Sequence, residues 1–183
     1  MAVAIKQSGR SLDASQVSDV ERRLVCGLPD VYGQFLLAFN GGVPEANEFV
    51  VLQTRTGSGV NRFYGIIGEG RDGDLLHEQC SLKDRLPEGV IAIGDAEGGN
   101  RICLSLRKAD YGHVFFWDHE LESDRDPSAA LAALAPSFDV FLASLRRLDA
   151  ERIQLRPGQV KRAWINPEFL NKVNQEKEES GNN

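Results

Sequence analysis

The sequence predicts an α+β fold in which a central antiparallel β-sheet, a meander, is packed by N-terminal helices and a C-terminal helix. Helical patterns lie towards the two ends of the chain and strand patterns lie in the middle, which is typical of α+β rather than α/β proteins. The strand patterns between Val90 and Glu120 are joined by short turns. Because a parallel crossover needs about a dozen residues or more, these strands are predicted to be antiparallel neighbours.

The chain begins with residues 1–14, which show no hydrophobic periodicity and are expected to form a flexible lead. A first helix follows, capped either by Ser18 with Glu21 three residues later or by Ser15. Its apolar residues share one helical stripe: Val17, Val20, Leu24 and Val25.

A second helix is predicted from Pro29, which suits a first helical position. Its apolar residues recur at helical spacing: Tyr32, Phe35, Leu36 and Phe39. Asn40-Gly41-Gly42 then ends the helix, because these residues tolerate the positive φ of a left-handed turn. The chain is expected to enter the sheet directly after that turn.

Glu48–Thr54 and Arg62–Ile67 are interpreted as two strands joined by a flexible loop at 56–59. This glycine-serine loop lacks the terminal Lys-Ser/Thr of a phosphate-binding loop. Asp74 is predicted to cap a third helix, which Pro87 terminates.

The central meander starts with the apolar run 90–93, followed by a glycine-rich acidic turn. Residues 101–107 alternate between apolar and polar side chains, which indicates a strand with one buried face. Residues 113–117 are rich in β-branched and aromatic residues, as strands tend to be. Trp117 is predicted to lie in the core, with its indole nitrogen near a hydrogen-bond acceptor.

After the meander, Asp126-Pro127 is expected to start a short turn that Pro136 stops, and Ser137 is expected to cap the last helix. The apolar residues of that helix lie on one face: Phe138, Phe141, Leu142, Leu145 and Leu148. The predicted domain therefore covers residues 15–148. Residues 149–183 form a partly disordered C-terminal extension that either packs on the domain, lies loose or acts as an interaction arm.

The composition of 42% hydrophobic and 26% charged residues is typical of a soluble globular protein, and no apolar run approaches the length of a membrane span. The N-terminus lacks the apolar centre of a secretory signal, so a cytoplasmic protein is expected. Cys26, Cys80 and Cys103 are predicted to be reduced and mostly buried. A net charge of −6 disfavours a nucleic-acid partner and favours a basic one.

Two motifs suggest an enzyme, and both have simpler explanations. The stretch 68–73 matches the G-x-G-x-x-G dinucleotide pattern, but Glu69 and Asp72 place carboxylates where a pyrophosphate would lie. Asp118-His119-Glu120 suggests a metal or acid–base site, yet strand alternation sends His119 away from the two carboxylates. The sequence therefore predicts no catalytic residue, no cofactor and no metal.

The short motifs of the meander carry a family resemblance. They are Ile-Gly-Asp at 93–95, Gly-Asn at 99–100 and Val-Phe-Phe-Trp-Asp-His-Glu at 114–120, preceded by Phe-Asn-Gly-Gly at 39–42. With these motifs, about residues 17–148 resemble the SUKH superfamily, which includes bacterial immunity proteins and Smi/Knr-type regulators of fungal cell-wall synthesis. The resemblance implies a structural role for its signature positions: Asn40, Gly41, Gly42, Gly94, Gly99, Asn100 and Trp117.

The resemblance also implies a non-catalytic scaffold whose surface binds other proteins. We expect an immunity protein that binds a cognate protein toxin, such as a basic protein or a nuclease. The alternative is a regulatory module that has no toxin partner. An enzyme that uses the glycine-rich loop or the Asp118 strand end remains a third hypothesis. The expected contact rim consists of the acidic residues at the end of the meander: Asp95, Glu97, Asp118 and Glu120.

Overall fold

The computed structural model of the protein describes residues 4–147 except Glu69 and Asp124. The helices are α1 (Ala14–Leu24), α2 (Asp30–Phe39), α3 (Leu75–Ser81) and α4 (Phe138–Ser144). The strands are β1 (Ile5–Lys6), β2 (Val43–Pro44), β3 (Glu48–Val51), β4 (Thr56–Phe63), β5 (Val90–Ala96), β6 (Arg101–Ser105), β7 (Val114–Trp117) and β8 (Leu131–Ala135). None of the helices in this part of the chain is long and apolar enough to cross a membrane.

Strands β3 to β8 form one six-stranded sheet in which every neighbouring pair is antiparallel. The order of the strands across the sheet is the same as their order along the chain. Strands β1 and β2 form a separate antiparallel pair. This arrangement confirms the predicted α+β fold with an antiparallel meander at its centre.

One face of the large sheet packs against α2 and α4 through aromatic rings. Phe35 of α2 lies edge-to-face with Phe63 of β4, at 5.4 Å between ring centroids, and with Phe138 of α4, at 4.9 Å. Phe49 of β3 reaches across to Phe116 of β7 at 5.8 Å. Edge-to-face pairs of this kind contribute about 0.5–1.5 kcal/mol each beyond their burial. The apolar faces that the sequence predicted for α2 and α4 therefore pack into the core.

The opposite face of the sheet is also covered, so the prediction of a single buried face for β6 is wrong. Residues 102–105 are all fully buried, including Cys103 and Ser105 on the polar side of the alternation. Gln79 of α3 lies over this face and accepts a hydrogen bond from the backbone N–H of Ala92 at 3.3 Å. Burial of Ser105 is tolerated because its hydroxyl donates to Asp110 at 2.5 Å.

The first hairpin of the sheet differs from its prediction. Residues 56–59, expected to be a flexible loop, belong to β4 and pair with β3, from Val51 opposite Thr56 to Glu48 opposite Gly59. The turn lies at 52–55 instead, and β4 ends at Phe63. The glycine-rich sequence has low strand propensity, so its pattern did not predict a strand. The residues adopt strand structure because they pair with β3.

The sequence also did not predict β8, which completes the six-stranded sheet. Leu131–Ala135 was interpreted as part of a turn, but it pairs with β7 as the sixth strand. The turn itself is a 3-10 helix at Pro127–Ala130, and Asp126 caps it as predicted. Ser137 occupies the N-cap position of α4 as predicted, although its side chain donates to Asp139 rather than accepting from the helix.

The start of α1 is capped by Asp13, so neither Ser18 nor Ser15 is the cap. The Asp13 side chain accepts from the backbone N–H of Gln16, and the Gln16 side chain accepts from the backbone N–H of Asp13. This is a capping box with aspartate and glutamine in place of the expected serine and glutamate. The helix ends with Val25 in the left-handed conformation, two residues before Gly27.

Asn40 joins three distant segments of the chain. Its side chain donates to the carbonyl oxygen of Arg10 at 2.9 Å and accepts from the backbone N–H of Ile66 at 2.6 Å. Its own backbone ends α2 with φ of 50°. A Cβ at Gly41, where φ is +80°, would lie 2.7 Å from the carbonyl oxygen of Phe63. We call this set of contacts the Asn40 junction, and it explains why the chain has no larger residue at Gly41.

The N-terminal residues have defined partners that their lack of periodicity did not predict. Ile5 and Lys6 pair with Pro44 and Val43, and the backbone N–H of Gly9 donates to Phe39. The expected mobile lead therefore contacts the chain on both sides of the Asn40 junction. The C-terminal extension at 149–183 lies outside the described residues.

Candidate functional site

Two turns lie side by side at one end of the sheet, as the sequence predicted. The first is a 3-10 turn at Glu97–Gly99 between β5 and β6, and the second is a 3-10 turn at His119–Leu121 after β7. Asn100 joins them, because its Oδ1 accepts from the backbone N–H of His119 at 3.1 Å and lies 2.8 Å from the ring Nδ1 of the same residue. We call this end of the sheet the acidic edge.

The four carboxylates predicted for the contact rim fall into two classes. Asp95 accepts from the hydroxyl of Tyr64 at 2.6 Å and forms an ion pair with Arg101 at 3.5 Å. Asp118 accepts from the backbone N–H of Glu120 at 3.0 Å and so caps the second turn. Glu97 and Glu120, by contrast, are exposed. The acidic edge therefore offers two side chains whose charges the surrounding fold does not use.

A further carboxylate, which sequence reasoning missed, adjoins this edge. A Cβ added at Gly59 of β4 would lie 3.4 Å from Oε1 of Glu48 and 3.4 Å from Cδ of Glu97. Both carboxyl groups therefore border the same glycine. The signal was present in the register of the first hairpin, but that register could be recognised only once β4 was known to begin at Thr56.

The Tyr64 hydroxyl beneath the edge acts as a hydrogen-bond donor. Burial, together with the neighbouring Asp95 carboxylate, raises the pKa of Tyr64 above its ordinary value of 10.0. The phenol therefore keeps its proton and positions Asp95 rather than serving as a base. The arrangement is a structural hydrogen bond at the start of the acidic edge.

The proposed metal or acid–base site at Asp118-His119-Glu120 lacks the necessary geometry. Strand β7 ends at Trp117, so the three residues lie in or beside a turn rather than alternating along a strand. His119 is already engaged by Asn100. Across the described residues, no three His, Cys, Asp or Glu side chains are placed to hold a metal ion.

The described residues of the glycine-rich stretch 68–73 lead into a helix start whose amides are already bonded to Asp74. The carboxylate of Asp74 accepts hydrogen bonds from the backbone N–H groups of Ile67 and Gly68 on one oxygen and of Leu76 and His77 on the other. A phosphate would need these same amides, and it would meet a negative charge already in place. Asp74 therefore caps α3, as predicted, and fills the position of the hypothetical ligand.

Trp117 lies beneath the acidic edge and belongs to the core, as predicted, with 1% of its surface exposed. Its indole nitrogen has no hydrogen-bond partner among the described residues, so the prediction of a nearby acceptor is wrong. The guanidinium of Arg85 instead lies 5.0 Å over the ring and pairs with Glu122 at 2.6 Å. This contact is a cation–π interaction.

The cysteines are free, and their environments differ. Cys103 is buried, Cys26 is half-buried and Cys80 is exposed, which corrects the prediction of three mostly buried thiols. Burial raises the pKa of the Cys103 thiol well above its ordinary value, which makes it unreactive.

Comparison with known proteins identifies relatives. A family model described as the SMI1 / KNR4 family (SUKH-1) matches residues 11–144. The chain is also similar to the SPbeta prophage-derived uncharacterized protein YokK of Bacillus subtilis (strain 168). The identity is 28% over 145 residues, and the alignment covers 71% of this chain and 72% of that protein.

Proposed function

This chain belongs to the SMI1 / KNR4 family (SUKH-1), and from that premise we propose that it is a non-catalytic immunity protein that neutralises a cognate toxin by direct binding. The toxin would be a basic protein such as a nuclease, bound inside the cell that makes both. The proposed binding of the toxin involves no nucleic acid, membrane or cofactor.

The observation that carries the proposal is the placement of the negative charge. Residues 149–183 contain six acidic and six basic side chains, so the whole net charge of −6 belongs to residues 1–148. Within that part, Glu97 and Glu120 project from the acidic edge, where the fold makes no use of their charge. Charge of this kind steers association with a partner of opposite sign.

Two further observations agree with a binding role. Asp74 already accepts from the Gly68 amide of the glycine-rich loop and from two amides at the start of α3, and His119 is held by Asn100. The residues that suggested an enzyme therefore have structural explanations. A similar protein derives from a prophage, a setting that suits conflict between genetic elements better than housekeeping chemistry.

The test is binding of the purified chain to the product of the neighbouring gene. Because exposed charges act mainly on association, raising the salt concentration from about 50 to about 500 mM is expected to slow the on-rate by about tenfold or more, with little change in the off-rate. Glu97→Lys combined with Glu120→Lys is expected to have the same effect at low salt. These rates are measured by surface plasmon resonance.

The matched control is Asp72→Lys combined with Glu88→Lys. Both carboxylates are exposed, and Glu88 precedes β5 at the end of the sheet opposite the acidic edge. This variant has the same net charge as the test variant, so an equal loss of on-rate in both would show that total charge acts and not the acidic edge. Absence of any toxin and of any binding would replace the immunity proposal with a regulatory module of the Smi/Knr type.

A further inference from the structure

An apolar pocket of about 470 Å³ opens between the two edge strands of the large sheet. Strands β3 and β8 are at opposite ends of the strand order, yet the sheet curls so that they approach each other. The side chain of Gln53 spans the seam and donates to the carbonyl oxygen of Ala133 at 3.4 Å. Phe141 of α4 is among the lining residues and is fully buried.

The lining of this pocket is apolar and accessible. Val50 is 55% exposed and Leu52 is 73% exposed, and Leu134 of β8 lies opposite them, half-buried. Large aliphatic side chains at such exposure cost solvation free energy in the isolated protein. Grouped around a concave surface, they mark a contact for another apolar group.

The backbone at the pocket indicates that the occupant is a polypeptide. Glu48 and Arg146 exchange both backbone hydrogen bonds at 2.9 Å, so Glu48 directs its N–H and C=O to the outer edge of β3. Alternate residues of an antiparallel strand direct their N–H and C=O groups to the same side. Val50 therefore also directs its N–H and C=O to the outer edge of β3. Among the described residues, the N–H and C=O of Val50 make no backbone hydrogen bond outside the β3–β4 pairing. A peptide segment can satisfy these groups, whereas a purely apolar molecule cannot.

The charged residues beside the pocket indicate the sign of the charge that the bound polypeptide carries. Glu48 lines the pocket, and Glu97 of the acidic edge borders the same glycine as Glu48. Arg146 lines the pocket as well and balances Glu48, so the excess negative charge comes from Glu97 just outside the lining. The pocket therefore continues the acidic edge and complements a basic neighbour.

We propose that this pocket receives a large apolar side chain of a partner protein, carried on a peptide segment with basic residues beside it. The inference rests on the proposed function and names the anchor point that the charges alone do not supply. Hot spots of protein interfaces are commonly apolar anchors in pockets surrounded by polar residues. Charge on the acidic edge governs the approach, and the pocket governs the lifetime of the complex.

The first experiment needs no partner. The end-blocked tripeptide Lys-Trp-Lys is titrated into the full chain, and the methyl resonances of Val50, Leu52 and Leu134 are followed by NMR. We expect these methyl groups to shift with Lys-Trp-Lys and to shift far less with Glu-Trp-Glu. Equal shifts with both peptides, or shifts at Leu37 in the groove between α1 and α2 instead, would overturn the inference.

The second experiment uses the product of the neighbouring gene. Leu52→Gln is expected to raise the off-rate by about tenfold or more, while Leu37→Gln, an equal change at another exposed leucine, is expected to change it by about twofold or less. Binding that survives Leu52→Gln unchanged rejects the pocket and leaves the proposed function standing. A pocket that takes Lys-Trp-Lys in a chain that binds no toxin rejects the proposed function alone. Concentration-dependent dimers that Leu52→Gln dissolves would make a second copy the occupant and overturn the inference.

Discussion

The Asn40 junction and the acidic edge both consist of polar residues at turns, but the fold uses them in opposite ways. At the junction, the Asn40 side chain is 2% exposed and bonds to Arg10 and Ile66. At the edge, Glu97 and Glu120 face solvent. Residues of the first kind build the scaffold, and residues of the second kind are available to a partner. Of the family motifs, Phe-Asn-Gly-Gly at 39–42 therefore lies apart from the acidic edge, whereas the motifs at 93–95, 99–100 and 114–120 border it.

The largest effect is expected at the junction. Gly41→Val places a β-branched residue at φ of +80° and its Cβ 2.7 Å from the carbonyl oxygen of Phe63. We expect a loss of about 3–6 kcal/mol in the free energy of unfolding, from backbone strain and overpacking together. Ala38→Gly, three residues earlier in α2, costs only about 1 kcal/mol of helix propensity and serves as the control. Equal losses of unfolding free energy for the two variants in urea melts would show that the Asn40 junction does not depend on glycine at position 41.

A slightly smaller effect is expected beneath the acidic edge. Trp117→Ala removes a side chain that is 1% exposed, and we expect a loss of about 3–5 kcal/mol in the free energy of unfolding. Leu121→Ala, in the adjoining turn, removes a side chain that is 54% exposed and should cost less than about 0.5 kcal/mol. Equal costs in urea melts would mean that the edge is not supported by a rigid core.

The smallest effect concerns a carboxylate at the opposite end of the sheet. Asp110 accepts from the hydroxyl of Ser105 and from the guanidinium of Arg107, and Arg107 is the main cause that holds the pKa of Asp110 below 3.8. Asp110→Asn is expected to cost about 1 kcal/mol at neutral pH. Because the folded pKa lies below the unfolded one, this stabilisation is present above the unfolded pKa and is lost as the pH falls through the folded one.

The difference in stability between the parent and Asp110→Asn should therefore shrink as the pH falls from about 5 to below about 3. Thermal melts at several pH values measure it. A difference that stays constant over this range would place Asp110 with the solvent-facing carboxylates of the acidic edge instead of with the residues that build the scaffold.

The sequence predicted those parts of the fold that periodicity controls. The helical spacing of Phe35 and Phe138 and the meander from Val90 onward are present in the structure, and the SUKH resemblance is confirmed by the family match. The alanine-rich β8 was missed because its strand character depends on its register with β7 and not on its own propensity. The reach of Asn40 to Arg10 was missed because it joins residues 30 apart in the sequence.

The adjacency of the two turns at the acidic edge was predicted from the sequence, and the role of that edge as a contact surface stays a prediction. Adjacency of Glu97 and Glu120 follows from the order of the strands, which the sequence supplied. The pairing of Asp95 with Arg101 and the capping role of Asp118 depend on side-chain geometry, which a pattern of residue types does not contain. The β3–β8 pocket depends on the curl of the whole sheet and could not be predicted from any one segment.

The agreement between strand order and chain order has a consequence for folding during synthesis. Each strand of the large sheet can pair with the preceding one as soon as it leaves the ribosome, because no strand waits for a partner further along the chain. The exception is the backbone bridge between Glu48 and Arg146, because Arg146 is made 98 residues after Glu48. The curl of the sheet is therefore fastened only after α4 has been made.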